Sequence, residues 1–169
     1  MGFEKEHAIK SAKFLLLLIG FYIIFTLFFR LALSIQLVES WTAGITLKIF
    51  ESLGFSGKIV SGEPVQIIFP FITVIISELC TGILEFSIAA SAILATVEVS
   101  WKKRILGVIG AAIATAVFNF ARITLVLLAL ISFGIQRAEL AHDVLFRVSL
   151  LLVIIGYYAL WFYLSSRKK

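Results

Sequence analysis

The sequence predicts an all-α integral membrane protein of about four transmembrane helices, with an outer amphipathic helix and a short extended or hairpin segment. Three observations lead there. Apolar residues make up 61% of the 169 and the mean hydropathy is +1.09, far from the roughly half-apolar make-up of soluble domains. Several apolar runs approach the ~20 residues a helix needs to cross the hydrocarbon layer. The Lys and Arg residues gather beside those runs. A net charge of +5 therefore speaks for membrane orientation, and no nucleic-acid partner is expected.

The spans fall at about 14–36, 80–99, 105–132 and 144–164, in a single membrane domain covering 1–169. Phe14–Phe29 is longer than the core of a secretory leader and runs on past Arg30 without a small-x-small site, so it reads as a retained helix. Segment 37–79 separates the first two spans. In it, Ser40 as N-cap, a stripe of Trp41, Ile45, Ile49 and Leu53, and Gly54 as C-cap predict a helix lying flat at the headgroups. The stretch "KIVSGEPVQII" sets turn residues between two β-prone runs and predicts a hairpin. Val65–Ile76 is apolar but too short to span and is interrupted by Pro70, so it reads as extended or re-entrant chain.

Charge fixes the direction. Lys5, Lys10 and Lys13 precede the first span, Lys102, Lys103 and Arg104 join the second to the third, and Arg167, Lys168 and Lys169 follow the fourth. Four spans put all three clusters on one side, which the positive-inside rule makes cytoplasmic. The expectation is a multi-pass protein of the cell membrane with both termini cytoplasmic. The outer segments then carry Lys48, Lys58 and Arg137.

This topology sets the depth of three polar residues. Cys80 begins the second span, at the outer surface. Arg122 comes 17 residues after Ile105, which at ~1.5 Å per residue is roughly 25 Å across the membrane. His142 lies in the outer connection before the fourth span. All three reach one outer layer, and their chemistry is complementary. A thiolate is the reactive form of cysteine, favoured by a helix start or a nearby cation. Histidine exchanges protons near neutral pH. Arginine cannot act as a base but steadies a carboxylate or an oxyanion. Asn119, three residues before Arg122 on the same helix face, adds a donor. Glu85 is a candidate ion partner for Arg122, Gly82 permits close helix approach, and Asp143 stands beside His142. The set is suited to acyl transfer through a thioester.

Each residue also has a plainer reading. A lone cysteine in a membrane helix is commonly a small packing residue, and a His–Asp pair is commonly an interfacial polar pair. Arg122 is harder to dismiss, because a charge in an apolar span is costly unless it is paired or reaches the surface. Arg30 and Arg147 read as reaching the outer headgroups, Glu98 as solvated, and Tyr157, Tyr158, Trp161 and Tyr163 as an aromatic belt. No metal site is expected, since His7 and His142 fall on opposite faces, and no phosphate loop or cofactor motif is present.

"ELCTGILE" around Cys80, "FNFARI" around Arg122 and "AHD" around His142 resemble, in that order, the motifs of the exosortase/archaeosortase family. The resemblance covers roughly residues 60–150. It implies a polytopic cysteine transpeptidase or protease, similar to soluble sortases in chemistry and unrelated to them in fold. Its partners would be secreted or surface proteins ending in a short signature, a transmembrane helix and a basic cluster. The enzyme would cut near the signature, with a lipid amine as one possible acyl acceptor. Carried over, Cys80 is the nucleophile, His142 the acid/base and Arg122 the electrostatic partner. Thr81 stands where serine or another small residue is usual, and the chain is short for the family. The alternative is a non-catalytic transporter subunit or assembly scaffold, built on the polar set Arg30, Glu85, Asn119, Arg122 and Arg147.

Overall fold

A computed structural model describes residues 2–167 of the chain; Lys168 and Lys169 of the expected terminal cluster lie outside them. Three helices are long and apolar enough to cross a membrane: Glu6–Leu33, Trp101–Phe133 and Ile135–Ser166. The first is α1 (Gly2–Phe28) continued by a π-helical segment, Phe29–Leu33. The second is α4 (Trp101–Phe133). The third joins α5 (Ile135–Leu150), a π-helical segment (Leu151–Tyr157) and α6 (Tyr158–Ser166). The remaining apolar helix, α3 (Ile83–Ala95), has 13 residues, or ~20 Å at the usual rise, less than the ~30 Å hydrocarbon layer. It is shorter than the expected 80–99 because a tight turn closes each end.

α3 is the centre of the bundle. Ala89, Ala90, Ser91, Ala92 and Ala95 are all buried on it, and small side chains let neighbouring backbones come close where lipid supplies no hydrophobic push. The first spanning helix packs on it through Phe25 of α1 and Phe29 of the π-helical segment, whose rings meet Phe86 edge-on at 5.6 and 6.1 Å. α4 turns one stripe inward: Gly107, Ala111, Thr115, Asn119, Ile123 and Leu127 are buried at every fourth position.

One end of the bundle is basic. Lys10 and Lys13 line a cavity with Ala95, Val97 and Glu98. Lys103 Nζ donates to the Ser165 carbonyl at 2.5 Å, and Arg104 donates to the Val99 and Leu94 carbonyls. Tyr157, Tyr158 and Trp161 also turn inward here. Tyr157 Oη donates to the Gly107 carbonyl at 2.9 Å, Trp161 Nε1 to the Lys103 carbonyl at 3.2 Å, and the Tyr158 hydroxyl meets Thr96 Oγ1 at 2.9 Å. Their polar tips serve helix packing rather than an interfacial belt.

A small sheet caps the opposite end. β1 (Lys58–Val60), β2 (Val65–Phe69) and β3 (Ile72–Ile76) form an antiparallel meander. The expected hairpin is present, and the run around Pro70 is a second hairpin that turns at Pro70–Phe71. Val65, Ile67, Phe69 and Ile76 face a core shared with Ala43, Phe50, Ile123 and Leu127. α2 (Ile35–Ser52) lies across the sheet. It begins after Ser34 rather than at Ser40, whose hydroxyl bonds back to the Gln36 carbonyl within the helix. Gly54, at φ +90°, ends it as expected. The stripe of Trp41, Ile45 and Leu53 is exposed, and Thr42, Ala43, Thr46 and Phe50 do the packing. In a chain bathed by lipid, the apolar stripe is free to face the surroundings.

Candidate active site

Cys80 sits where the sheet hands over to α3. β3 ends at Ile76, Glu78–Cys80 form one 3-10 turn, and α3 starts at Ile83. Gly82 bridges the two at φ +77°, a conformation that strains any residue with a Cβ. A Cβ there would also stand 3.0 Å from Thr115 Cγ2 of α4. The glycine thus sharpens the turn and brings α4 against it.

Two residues of α4 hold this junction by its backbone. Asn119 Nδ2 donates to the Cys80 carbonyl at 2.7 Å. Arg122 Nη2 donates to the Leu79 carbonyl and to Asn119 Oδ1, each at 2.8 Å. Arg122 Nη1 donates to Glu85 Oε1 at 3.3 Å, with the two side chains 3% and 4% exposed. The guanidinium also lies over the Phe146 ring of α5, 5.0 Å from its centroid. A buried charge is tolerated only when it is both neutralised and hydrogen-bonded, and Arg122 has both. Three of the five N–H groups of its guanidinium are used this way. The Nε–H and one Nη1–H remain without a partner among the described residues.

The Cys80 side chain is partly exposed, with Sγ 3.8 Å from Ser77 Oγ. His142 is about half exposed on α5. Its Nδ1 lies 3.5 Å from Asp143 Oδ1, and its ring runs parallel to that of Phe146 at 6.4 Å. Cys80, Arg122 and His142 together line one cavity of about 120 Å³, closed by β3 and by apolar residues of α4. At ~30 Å³ per water, that is room for a few waters or for an acyl group.

Not every candidate joins this cavity. Asp143 is largely exposed and lines a neighbouring space of about 270 Å³ with His142 and Glu139. Gly82 contributes backbone shape. Arg30 and Arg147 are exposed, away from the cavity. His142 does not lie in a connection before the last span, because Gly134 alone, at φ +81°, turns the chain from α4 into α5. The polar run 136–143 is the first part of that helix, not a loop. Cys80 likewise precedes its helix instead of starting it. Sequence reading missed Phe146, which lies one turn beyond His142 on the same face, a spacing that was available. It also missed the Leu79 and Cys80 carbonyls, for which no side-chain pattern exists.

The family model described as transmembrane exosortase (Exosortase_EpsH) matches residues 5–159. The chain belongs to the transmembrane exosortase family. The matched stretch contains Cys80, Asn119, Arg122 and His142. Exosortases are multi-pass membrane proteins of the transpeptidase or protease class that act on C-terminal sorting signals. No curated protein and no solved structure matches the chain.

Proposed function

We infer that this exosortase cuts the C-terminal sorting tail of secreted or surface proteins through a thioester on Cys80. The shared lining of one small cavity by Cys80, Arg122 and His142 is the observation that carries the reading. The Cys80 thiolate attacks the scissile carbonyl, and the carbon–nitrogen bond breaks as His142 delivers a proton to the leaving amine. A water or a lipid amine then attacks the thioester, giving its proton to His142, and the thiolate leaves. Arg122 is mainly a positioning residue, since most of its donors are spent on Glu85, Asn119 and the Leu79 carbonyl. Its remaining N–H groups are the ones able to reach an oxyanion.

The Lys/Arg asymmetry supports a cytoplasmic basic end. Tail processing would then take place at the extracytoplasmic face of the cell membrane, beneath the sheet. Mapping the C-termini of the source cell's surface proteins, with the native enzyme and with Cys80→Ala, tests the reading. A set of proteins that keeps its basic-ended apolar tail only in the variant is the expected result. Any added mass on the trimmed ends names the acceptor. Matching maps would make Cys80 a packing residue.

A further inference from the structure

The sheet offers the site an unpaired strand edge. Its order is β1–β2–β3, so β3 has a strand on one side only. The other edge borders the cavities. Val74, Ile75 and Ile76 all line the Cys80 cavity, and Ile72, Thr73 and Val74 all line its neighbour. Successive side chains of a strand point to opposite faces, so a space touched by three in a row runs alongside the strand. The two cavities share Val74, Val126, Leu127 and His142. They form one groove between β3 and the α4–α5 pair.

The register shows which backbone groups face that groove. Phe69 and Ile72 flank a two-residue turn and so form a hydrogen-bonded pair; by alternation Ile67–Val74 and Val65–Ile76 are pairs of the same kind. The N–H and C=O of Thr73 and Ile75 therefore point away from β2. No strand takes them up among the described residues. The strand then leads to Cys80 through a single turn.

We propose that the part of the sorting tail just upstream of the cleavage point adds to β3 as a fourth strand. Its main chain bonds to Thr73 and Ile75, and its scissile carbonyl arrives at Cys80. The proposal rests on the tail-processing reading above. β3 has five residues, which at ~3.3 Å each give a rail of roughly 17 Å. β3 itself runs from the sheet to Cys80 and on into α3. A tail whose apolar helix follows its cleavage point runs the same way, so the pairing is parallel. Main-chain bonds supply the hold, and alternate tail side chains supply the selectivity.

Proline separates this from a side-chain groove. At Thr73 or Ile75 it removes an N–H that β2 does not use, and proline is accepted on such edges. Ile59→Pro, at the outward-facing position of β1 on the far edge, is the matched control. In the C-terminal map, Thr73→Pro and Ile75→Pro should each lower processing about tenfold or more, the loss of a main-chain bond plus a steric block. Ile59→Pro should process normally. Methylthiolation of Cys80 by methyl methanethiosulfonate, giving a mixed disulfide and releasing methanesulfinate, should proceed in both edge variants, showing the site still formed.

A second measurement needs no proline. Thr73→Cys or Ile75→Cys, placed in the Cys80→Ala background, should form disulfides with single cysteines walked along a retained tail, at every second position. Identical maps for wild type and Cys80→Ala overturn the processing reading and this proposal with it. A Cys80-dependent map untouched by Thr73→Pro and Ile75→Pro, or crosslinks without a two-residue period, overturn strand addition alone. The groove would then hold lipid or the tail's own helix.

Discussion

The ion pair of Arg122 with Glu85 gives the sharpest test of how the junction is held. Glu85→Leu leaves a guanidinium at 3% exposure without its counter-charge. Breaking a buried pair by removing one partner costs about 3–5 kcal/mol. Glu85→Gln keeps an acceptor opposite Nη1, so its loss should be smaller, about 1–3 kcal/mol. Removing both charges, as Glu85→Leu with Arg122→Met, eliminates the stranded cation and should recover at least about 2 kcal/mol over the sum of the single losses. Unfolding in mixed SDS and mild detergent, followed by the fluorescence of Trp41, Trp101 and Trp161, measures wild type, Glu85→Leu, Glu85→Gln, Arg122→Met and the double variant. Tail processing, however, should stay low in the double variant, because Arg122→Met removes the donors to the Leu79 carbonyl and Asn119. Glu85→Leu within about 1 kcal/mol of wild type, or strictly additive losses, would refute the pairing argument.

Other consequences are simpler to check. Gly82→Ala forces a Cβ into a left-handed backbone and against Thr115; a loss of about 1–3 kcal/mol in the same unfolding assay is expected, with slower processing. Gly110→Ala would place its Cβ on the Tyr157 hydroxyl, so thermal stability should fall even though the position is remote from Cys80. Burial holds the Glu39 carboxyl above its ordinary value, the Val65 amide pulls it back, and Glu78 and Glu63 push it further up. An acid whose folded value is raised loses stability as pH climbs from the unfolded value, 4.5, through the folded one. Glu39→Gln should therefore melt higher than wild type at neutral pH, with the difference closing below about pH 4; a difference independent of pH would count against it.

Much of this architecture is written in local patterns. A long apolar run with one buried stripe is a robust signal, and α4 extends only a few residues beyond the expected 105–132. The level of Arg122 follows from the fixed rise per residue. Short-range chemistry was less legible. α3 starts late and ends early because of turns at Gly82 and Thr96, which composition alone does not reveal. The polar stretch 136–143 looks like a loop until Gly134 is seen to make the whole reversal. The aromatic tips near residue 160 find backbone carbonyls on α4, a tertiary event with no sequence mark. The free edge of β3 needed a sheet order before it could be recognised at all.

The clasp at the basic end has a mechanical consequence. Tyr157 and Trp161 bond to α4 carbonyls there, and Gly107 and Gly110 leave no room for slippage. Along α5, by contrast, no side-chain hydrogen bond to α4 is present among the described residues, and the ties are the Gly134 turn and two cation–ring contacts, Arg137 on Phe133 and Arg122 on Phe146. The 135–166 helix is therefore pinned at both ends, by hydrogen bonds at the basic end and by the Gly134 turn at the other, and it yields most easily between them. His142 stands eight residues from Gly134 and 15 from Tyr157, about 12 and 22 Å at ~1.5 Å per residue, on the stretch that packing alone holds. Spin labels at Phe71 and Glu139 should give a broader distance distribution than labels at Trp101 and Ser165. Width at the groove is then set by how far the helix can bow between its two anchors.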